Sequence, residues 1–286
     1  MMRLGLTGWP LGHSLSPRLQ NAALRALGLD AEYSLYPLDP SQPQALVDLL
    51  NRLRSGEISG LNVTIPHKQA VIAHLDDLTA SAREIGAVNT IYMQEGRLLG
   101  HNTDAPGFVA DLRARFFPTA ESWTVACAGR ALVLGAGGSA RAVVWALLQA
   151  GWQVTVAARR LEQAAILVES FKRPAGGPNP VCALLDPAAI SESLARARLL
   201  VNTTSVGMSP KTDFSPWPLD LPFPAQAVLY DLVYNPRETL LVSQARAAGL
   251  RASTGLGMLV EQAALGFEIW TGRPAPRSTM FSAVEA

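Results

Sequence analysis

The chain is short of most features that settle a function class at once. It has two cysteines in 286 residues, Cys127 and Cys182, widely separated. That spacing supports neither a disulfide framework nor a cysteine-ligated metal. The four histidines, His13, His67, His74 and His101, also lack metal-ligand spacing. Net charge is only +1, from 24 basic and 23 acidic side chains. No overall field therefore draws the chain to nucleic acid or to an anionic membrane, and no basic stripe with interleaved aromatics is present. Apolar runs are broken by glycine, proline or charge well before the roughly 20 residues of a spanning helix. The opening Met1-Met2-Arg3-Leu4-Gly5-Leu6 is too short in its apolar part for a secretory signal. These absences predict a soluble cytoplasmic protein with reduced thiols. At roughly 100–200 residues per domain the length allows two.

What is present centres on Gly135-Ala136-Gly137-Gly138-Ser139-Ala140-Arg141. The run follows an apolar strand pattern, Arg130 to Leu134, and opens a helical one, Ala140 to Leu148, with a second strand at Val154 to Ala157. This is the first strand–helix–strand unit of a dinucleotide-binding domain: glycines permit a tight turn and a close approach of backbone to pyrophosphate at a helix N-terminus. NAD-binding units carry an acidic residue after the second strand for the ribose hydroxyl. Here stand Ala158-Arg159-Arg160, with Glu162 two residues on. Two guanidiniums suit a 2′-phosphate, which favours NADP over NAD. The other reading makes both arginines solvated charges at a helix start.

Alternating elements are expected before this turn. Strands fall at Arg3–Thr7, Ala31–Leu38 and Gly60–Ile65, and helices at Pro17–Leu27 and Gln42–Ser55, the latter with Leu46, Leu49, Leu50 and Leu53 on one side. A further helix runs into Leu75. Asn89 to Asn102 reads as a hairpin turning at Glu95-Gly96. After the glycine turn, strands are expected at Leu199–Val201 and Val228–Tyr230, with Pro-rich irregular stretches at 172–180 and 209–224. Gly257 to Thr271 is a helix apolar on nearly all sides, which predicts burial against more than one sheet and a return to the first domain.

Four polar groups stand out. In Gly12-His13-Ser14-Leu15-Ser16-Pro17, Ser16 fits a helix N-cap followed by proline. Ser14 does not, and the pair of hydroxyls could hold a carboxylate or phosphate. In Asn62-Val63-Thr64-Ile65-Pro66-His67-Lys68, alternation puts Leu61, Val63 and Ile65 on one face and Asn62 and Thr64 on the other. Lys68 follows, either as a site residue or as a solvated first-turn lysine. The hairpin register sets Asn89 opposite Asn102, with Asp104 on the same face if the strand continues, or else as a cap for the helix begun near Pro106. Gln262 lies inside the apolar tail helix, bonding either a neighbouring backbone or a cleft.

In this order the segments closely resemble the NADP-dependent shikimate dehydrogenase family. The resemblance runs from Leu4 to Trp270 and includes His13 to Pro17, Asn62 to Lys68, Gly86-Ala87-Val88-Asn89-Thr90, Asn102-Thr103-Asp104 and the glycine turn. It continues through Asn202 to Met208, Tyr230 to Pro236 and Gly255 to Val260. It implies two α/β domains with a cleft between them: a substrate domain at 1–106 completed by 257–286, and a Rossmann-type NADP-binding domain at 107–256. It assigns Ser14 and Ser16 to a substrate carboxylate. Thr64, Asn89, Asp104, Tyr234 and Gln262 go to the ring and its hydroxyls, with Asn62 lining the pocket. Lys68 becomes the acid/base, paired with Asp104. NADP(H) would lie on Gly135, Ala136, Gly137, Gly138 and Ser139, with its adenosine phosphate at Ala158, Arg159 and Arg160 and its nicotinamide end near Leu232 and Gly255. The implied reaction is reversible reduction of 3-dehydroshikimate to shikimate, in chorismate and aromatic amino-acid biosynthesis. The partners are then small molecules, with a homodimer left open. The chain departs from the family's Asn-Arg-Thr at Ala158-Arg159-Arg160, and Phe116 to Gly129 is longer than the usual linker. Two alternatives remain: a quinate/shikimate dehydrogenase using NAD, and a non-catalytic NADP-binding sensor.

Overall fold

The computed structural model describes residues 1–172, 179–219 and 221–285. They fall into two compact units, Met1–Gly107 with Leu259–Ala286, and Phe108–Met258. The first unit runs β1 (Met2–Gly8), α1 (Ser16–Ala26), β2 (Ala31–Pro37), α2 (Pro43–Arg54), β3 (Gly60–Val63), α3 (His67–Ala70), β4 (Asp77–Leu78), α4 (Ala80–Ile85), β5 (Thr90–Gln94), β6 (Arg97–His101) and the first turn of α5 (Asp104–Phe116). The sheet order is β2-β1-β3-β5-β6-β4, with β1 parallel to both neighbours and β5 antiparallel to β3 and β6. Glu95 and Gly96 both take positive φ, as a two-residue hairpin turn requires. Gln94 consequently faces Arg97 and Thr90 faces His101, the register implied by the sequence.

Alternation along β3 sorts this unit into layers. Leu61 and Val63 point to the leucine stripe of α2, where Leu46, Leu49, Leu50 and Leu53 close a core with Val88 and Ile91. Asn62 points the other way, to the face that α11 covers.

The second unit continues with α6 (Ala120–Cys127), β7 (Arg130–Leu134), α7 (Gly138–Gln149), β8 (Gln153–Ala158), α8 (Leu161–Glu169), β9 (Val181–Leu184), α9 (Pro187–Ala195), β10 (Ala197–Asn202), β11 (Val228–Asp231), α10 (Leu240–Ala247) and β12 (Arg251–Thr254). All its strands are parallel, in the order β12-β11-β10-β7-β8-β9. This is the doubly wound arrangement, whose strand order reverses between β7 and β10. Strands covered on both faces are apolar throughout. Leu132, Leu134, Ala157, Leu200 and Leu229 form the core with Ile190, Leu241 and Val242. The chain then passes through α11 (Leu256–Thr271) back into the first unit, where α12 (Arg277–Glu285) follows. Gln20 of α1 donates to the Ala263 carbonyl of α11 at 3.0 Å, and Trp270 donates to the Ile91 carbonyl at 3.0 Å. The all-round apolarity of α11 thus reflects packing between a helix and a sheet.

Several local expectations change. The helix α1 starts at Ser16 itself, with Leu15 at the cap position; the Ser14 hydroxyl accepts the Ser16 amide at 3.3 Å. β3 stops at Val63, so Ile65 turns outward and is exposed. The strand after the hairpin ends at His101, and Asp104 opens a helix. Asn102 then leaves the Asn89 face: it donates to the Ala87 carbonyl at 2.9 Å and accepts the Ala105 amide of the first turn of α5 at 3.2 Å. The segment from Phe116 to Gly129 forms α6, where Phe117 and Trp123 pack with Trp152. Residues 209–224 form turns among the described residues, whereas most of 172–180 lies outside them.

Candidate active site

The chemistry-bearing residues of the first unit meet where α3 and α5 begin. Lys68 sits in the short turn of α3, anchored by its carbonyl, which accepts the Val88 amide at 2.8 Å. Its side chain is therefore held inward: Lys68 is 8% exposed and Asp104 4%. The Lys68 ammonium donates to Asp104 Oδ2 at 2.5 Å. This burial rules out the solvated first-turn lysine. Two opposite charges taken out of water need good geometry and further hydrogen bonds to persist. Asn89 supplies one, donating through Nδ2 to Asp104 Oδ1 at 2.8 Å.

Asn89 is itself fixed from several sides. Its Oδ1 accepts the Thr103 amide at 2.8 Å, and its Nδ2 also reaches Thr103 Oγ1 at 2.9 Å and Gln262 Oε1 at 3.3 Å. Gln262 donates to the Leu259 carbonyl at 2.8 Å, so it bonds a neighbouring backbone and reaches the cluster as well. Beneath them, Asn62 accepts the Tyr33 hydroxyl at 2.7 Å and donates to the Asn89 carbonyl at 3.0 Å and Thr90 Oγ1 at 3.1 Å. Asn62 is buried, and both its amide hydrogens are spent inside the protein. Its geometry braces Asn89.

Ser14, Ser16 and Thr64 stand on the segments that follow β1 and β3, which pair side by side. The Thr64 amide donates to the Thr7 carbonyl at 2.8 Å, tying the two segments. Among the described residues no hydrogen bond links these three to the Lys68–Asp104 pair, and their hydroxyl protons have no protein acceptor. The unit thus carries a charged cluster already partnered and a set of hydroxyl donors still free.

In the second unit the glycine turn lies at the C-terminal end of β7. Gly135 has φ +104°, a region other residues avoid. A Cβ there would come within 2.8 Å of Thr203 Oγ1 and 2.9 Å of Thr204 Cγ2. Gly137 caps α7 without a side-chain bond, and Ala136, Gly138 and Ser139 lie around it. Arg159 and Arg160 follow β8, both exposed, with no side-chain partner among the described residues. Ala158 before them is buried. Across the sheet, Leu232 and Gly255 meet: a Cβ on Gly255 would overlap the Leu232 carbonyl. Tyr234 is half-buried beyond β11. Thr90, Thr103, Thr203 and Asp231 fall within the motifs, but the motifs mark no task for them. Tyr33 carries no sequence signal of its role, because a lone tyrosine in a strand has no pattern that separates a brace from a core residue.

Fold and site define a dinucleotide-dependent α/β enzyme. Residues 6–91 match the model of the shikimate dehydrogenase substrate binding domain, and 255–285 that of the shikimate 5′-dehydrogenase C-terminal domain. The shikimate dehydrogenase (NADP+) of Salinibacter ruber is 42% identical, over 98% of this chain and 96% of its own. That of Gluconobacter oxydans is 44% identical over 94% and 89%. The crystal structure of shikimate 5-dehydrogenase from Thermus thermophilus in complex with NADP(H) and shikimate superposes with a TM-score of 0.84 at 40% identity, covering 100% of this chain and 99% of that one. The chain belongs to the shikimate dehydrogenase family.

Proposed function

We propose that the protein catalyses the reversible NADPH-dependent reduction of 3-dehydroshikimate to shikimate. The observation that carries this reading is the buried Lys68–Asp104 pair, a proton donor held in a fixed position by a carboxylate. When bound, NADP(H) supplies or takes up the hydride. Hydride addition at a ketone carbon leaves negative charge on its oxygen. The Lys68 ammonium first stabilises that charge and then donates its proton to the oxygen; in the oxidative direction its neutral amine takes the hydroxyl proton. Asp104 keeps the ammonium in place and accepts from a ring hydroxyl. Asn89, Gln262, Thr64 and Tyr234 orient the ring, and the free hydroxyls of Ser14 and Ser16 donate to its carboxylate.

The residues present suit the dinucleotide. Gly135 lets the backbone approach a pyrophosphate, α7 presents its N-terminus beside that turn, and the exposed Arg159 and Arg160, without a side-chain partner among the described residues, suit a 2′-phosphate. Leu232 and Gly255 flank the nicotinamide end. The reading includes a cytoplasmic setting and no nucleic-acid partner, with a homodimer left open. Near-neutral charge supports the absence of a nucleic-acid partner, and among the described residues no helix is long and apolar enough to cross a membrane.

The test follows nicotinamide absorbance with shikimate or quinate and NADP+ or NAD+. Fast NADP+ reduction with shikimate alone supports the reading. Equal rates with quinate or NAD+ move the protein to the broader-specificity branch. No turnover while NADP+ still binds replaces catalysis with a sensor role.

A further inference from the structure

Asp231 ends β11 and is 0% exposed, yet among the described residues no cation lies against it. Its Oδ1 accepts Asn202 Nδ2 at 2.8 Å and the Val233 amide at 3.0 Å, and its Oδ2 accepts the Thr239 hydroxyl at 2.7 Å. Asn202 passes the constraint on. Its Oδ1 accepts the Thr204 amide at 3.0 Å and the Thr204 hydroxyl at 2.8 Å, and Thr204 Oγ1 accepts the Val206 amide at 3.2 Å. The Asn202 carbonyl also accepts the Leu232 amide at 2.9 Å. One carboxylate therefore ties together the segments that leave β10 and β11.

Those segments border the place where an open parallel sheet takes its ligand, beyond the strand ends at the reversal between β7 and β10. Thr203 and Thr204 are the residues against which Gly135 packs. Leu232 carries the carbonyl against which Gly255 lies. We propose that Asp231 is a positioning residue for the dinucleotide: through Asn202 and Thr204 it sets where the loop after β10 stands against the glycine turn, and through Val233 and Leu232 it sets the nicotinamide end. The inference rests on the cofactor reading above and adds a residue that touches no ligand.

Burial pushes the Asp231 carboxyl up to about 6, against the hydrogen bonds of Thr239, Val233 and Asn202, which pull it down. The groups facing it from β10, from the segment after β11 and from the cap of α10 are these three neutral donors. Ionised, the carboxylate forms charge-assisted bonds roughly twice as strong as neutral ones. An asparagine there would replace one of the two acceptor oxygens with an amide donor and carry no charge. Keeping a charge in such surroundings costs stability. A role confined to stability would favour a neutral residue there.

The test compares NADP+ and shikimate binding by calorimetry in wild-type protein and in Asp231→Asn. The expected result is a Kd for NADP+ at least about tenfold weaker in the variant, with shikimate affinity within about twofold. A variant that folds and binds NADP+ as wild type overturns the proposal, and so does equal loss of both ligands. Should Asp231→Asn fail to fold, wild-type affinity for NAD+, which has no 2′-phosphate to titrate, is followed from pH 7.5 to 5.5. It should weaken about threefold as the carboxylate is protonated near pH 6. A flat profile overturns the proposal. Failure of the cofactor reading looks different: wild-type protein then binds no NADP+ at any pH.

Discussion

The two units hold two of their charge pairs in opposite ways. In the first, Lys68 and Asp104 are buried, bonded to each other at 2.5 Å, and braced by Asn89. In the second, Arg159 and Arg160 are exposed and have no partner among the described residues. On the proposed function, the difference follows from the task of each group. A proton donor must be in position before the substrate arrives, so the protein itself provides its counter-charge and accepts the desolvation cost. A group that recognises a phosphate stays hydrated until the phosphate replaces its water, and so requires no internal partner.

The contrast can be broken most sharply at Lys68. Lys68→Met keeps the volume and removes the proton: kcat should fall by about a thousandfold while KM for shikimate stays within about threefold. A large KM change with kcat preserved would make Lys68 a binding residue. Asp104→Ala should be the next largest effect, because it leaves a buried ammonium without its counter-charge. Urea denaturation should show a loss of about 3 kcal/mol, and a loss below about 1 kcal/mol would mean that water reaches the pair. Arg159→Ala should leave stability unchanged, since the exposed side chain has no partner among the described residues. KM for NADP+ should rise roughly thirtyfold with NAD+ kinetics unaltered; equal effects on both cofactors would detach Arg159 from the 2′-phosphate.

The smallest effect concerns pH. The Asp231 carboxyl is raised from 3.8 to about 6 in the folded state, so folding favours its protonated form. Its contribution to stability is present in acid and lost as pH rises through about 6. Between pH 7 and 5, wild-type protein should gain about 1 kcal/mol relative to Asp231→Asn. A difference of opposite sign would mean that the three hydrogen bonds outweigh burial.

Much of this was legible in the sequence, for definite reasons. The glycine turn, the strands around it and the stripe of α2 are local patterns, set by backbone conformation and hydrophobic period within a dozen residues. The hairpin register followed from a two-residue turn at Glu95-Gly96. Lys68, Asp104, Asn89 and Gln262 could be named as polar residues without a place in that pattern, and the ordered motifs pointed to the family. Direction was harder to read. Asn102 and Asp104 shared a face only if a strand continued, and a helix start at Asp104 turned Asn102 away to the Ala87 carbonyl. Ser16 had the chemistry of an N-cap but stands one residue inside the helix.

By itself the sequence determined the two α/β halves, the dinucleotide turn and the residue types able to move a proton or hold a phosphate. Only the tertiary structure decided that Lys68 is buried, that Asn62 and Tyr33 brace Asn89 from below, and that Asp231 ties the ends of β10 and β11. Each of those facts depends on hydrogen bonds between residues about 30 apart in the chain. Such partners are selected by the packing that leaves no buried donor or acceptor unpaired, and packing is a property of the folded whole.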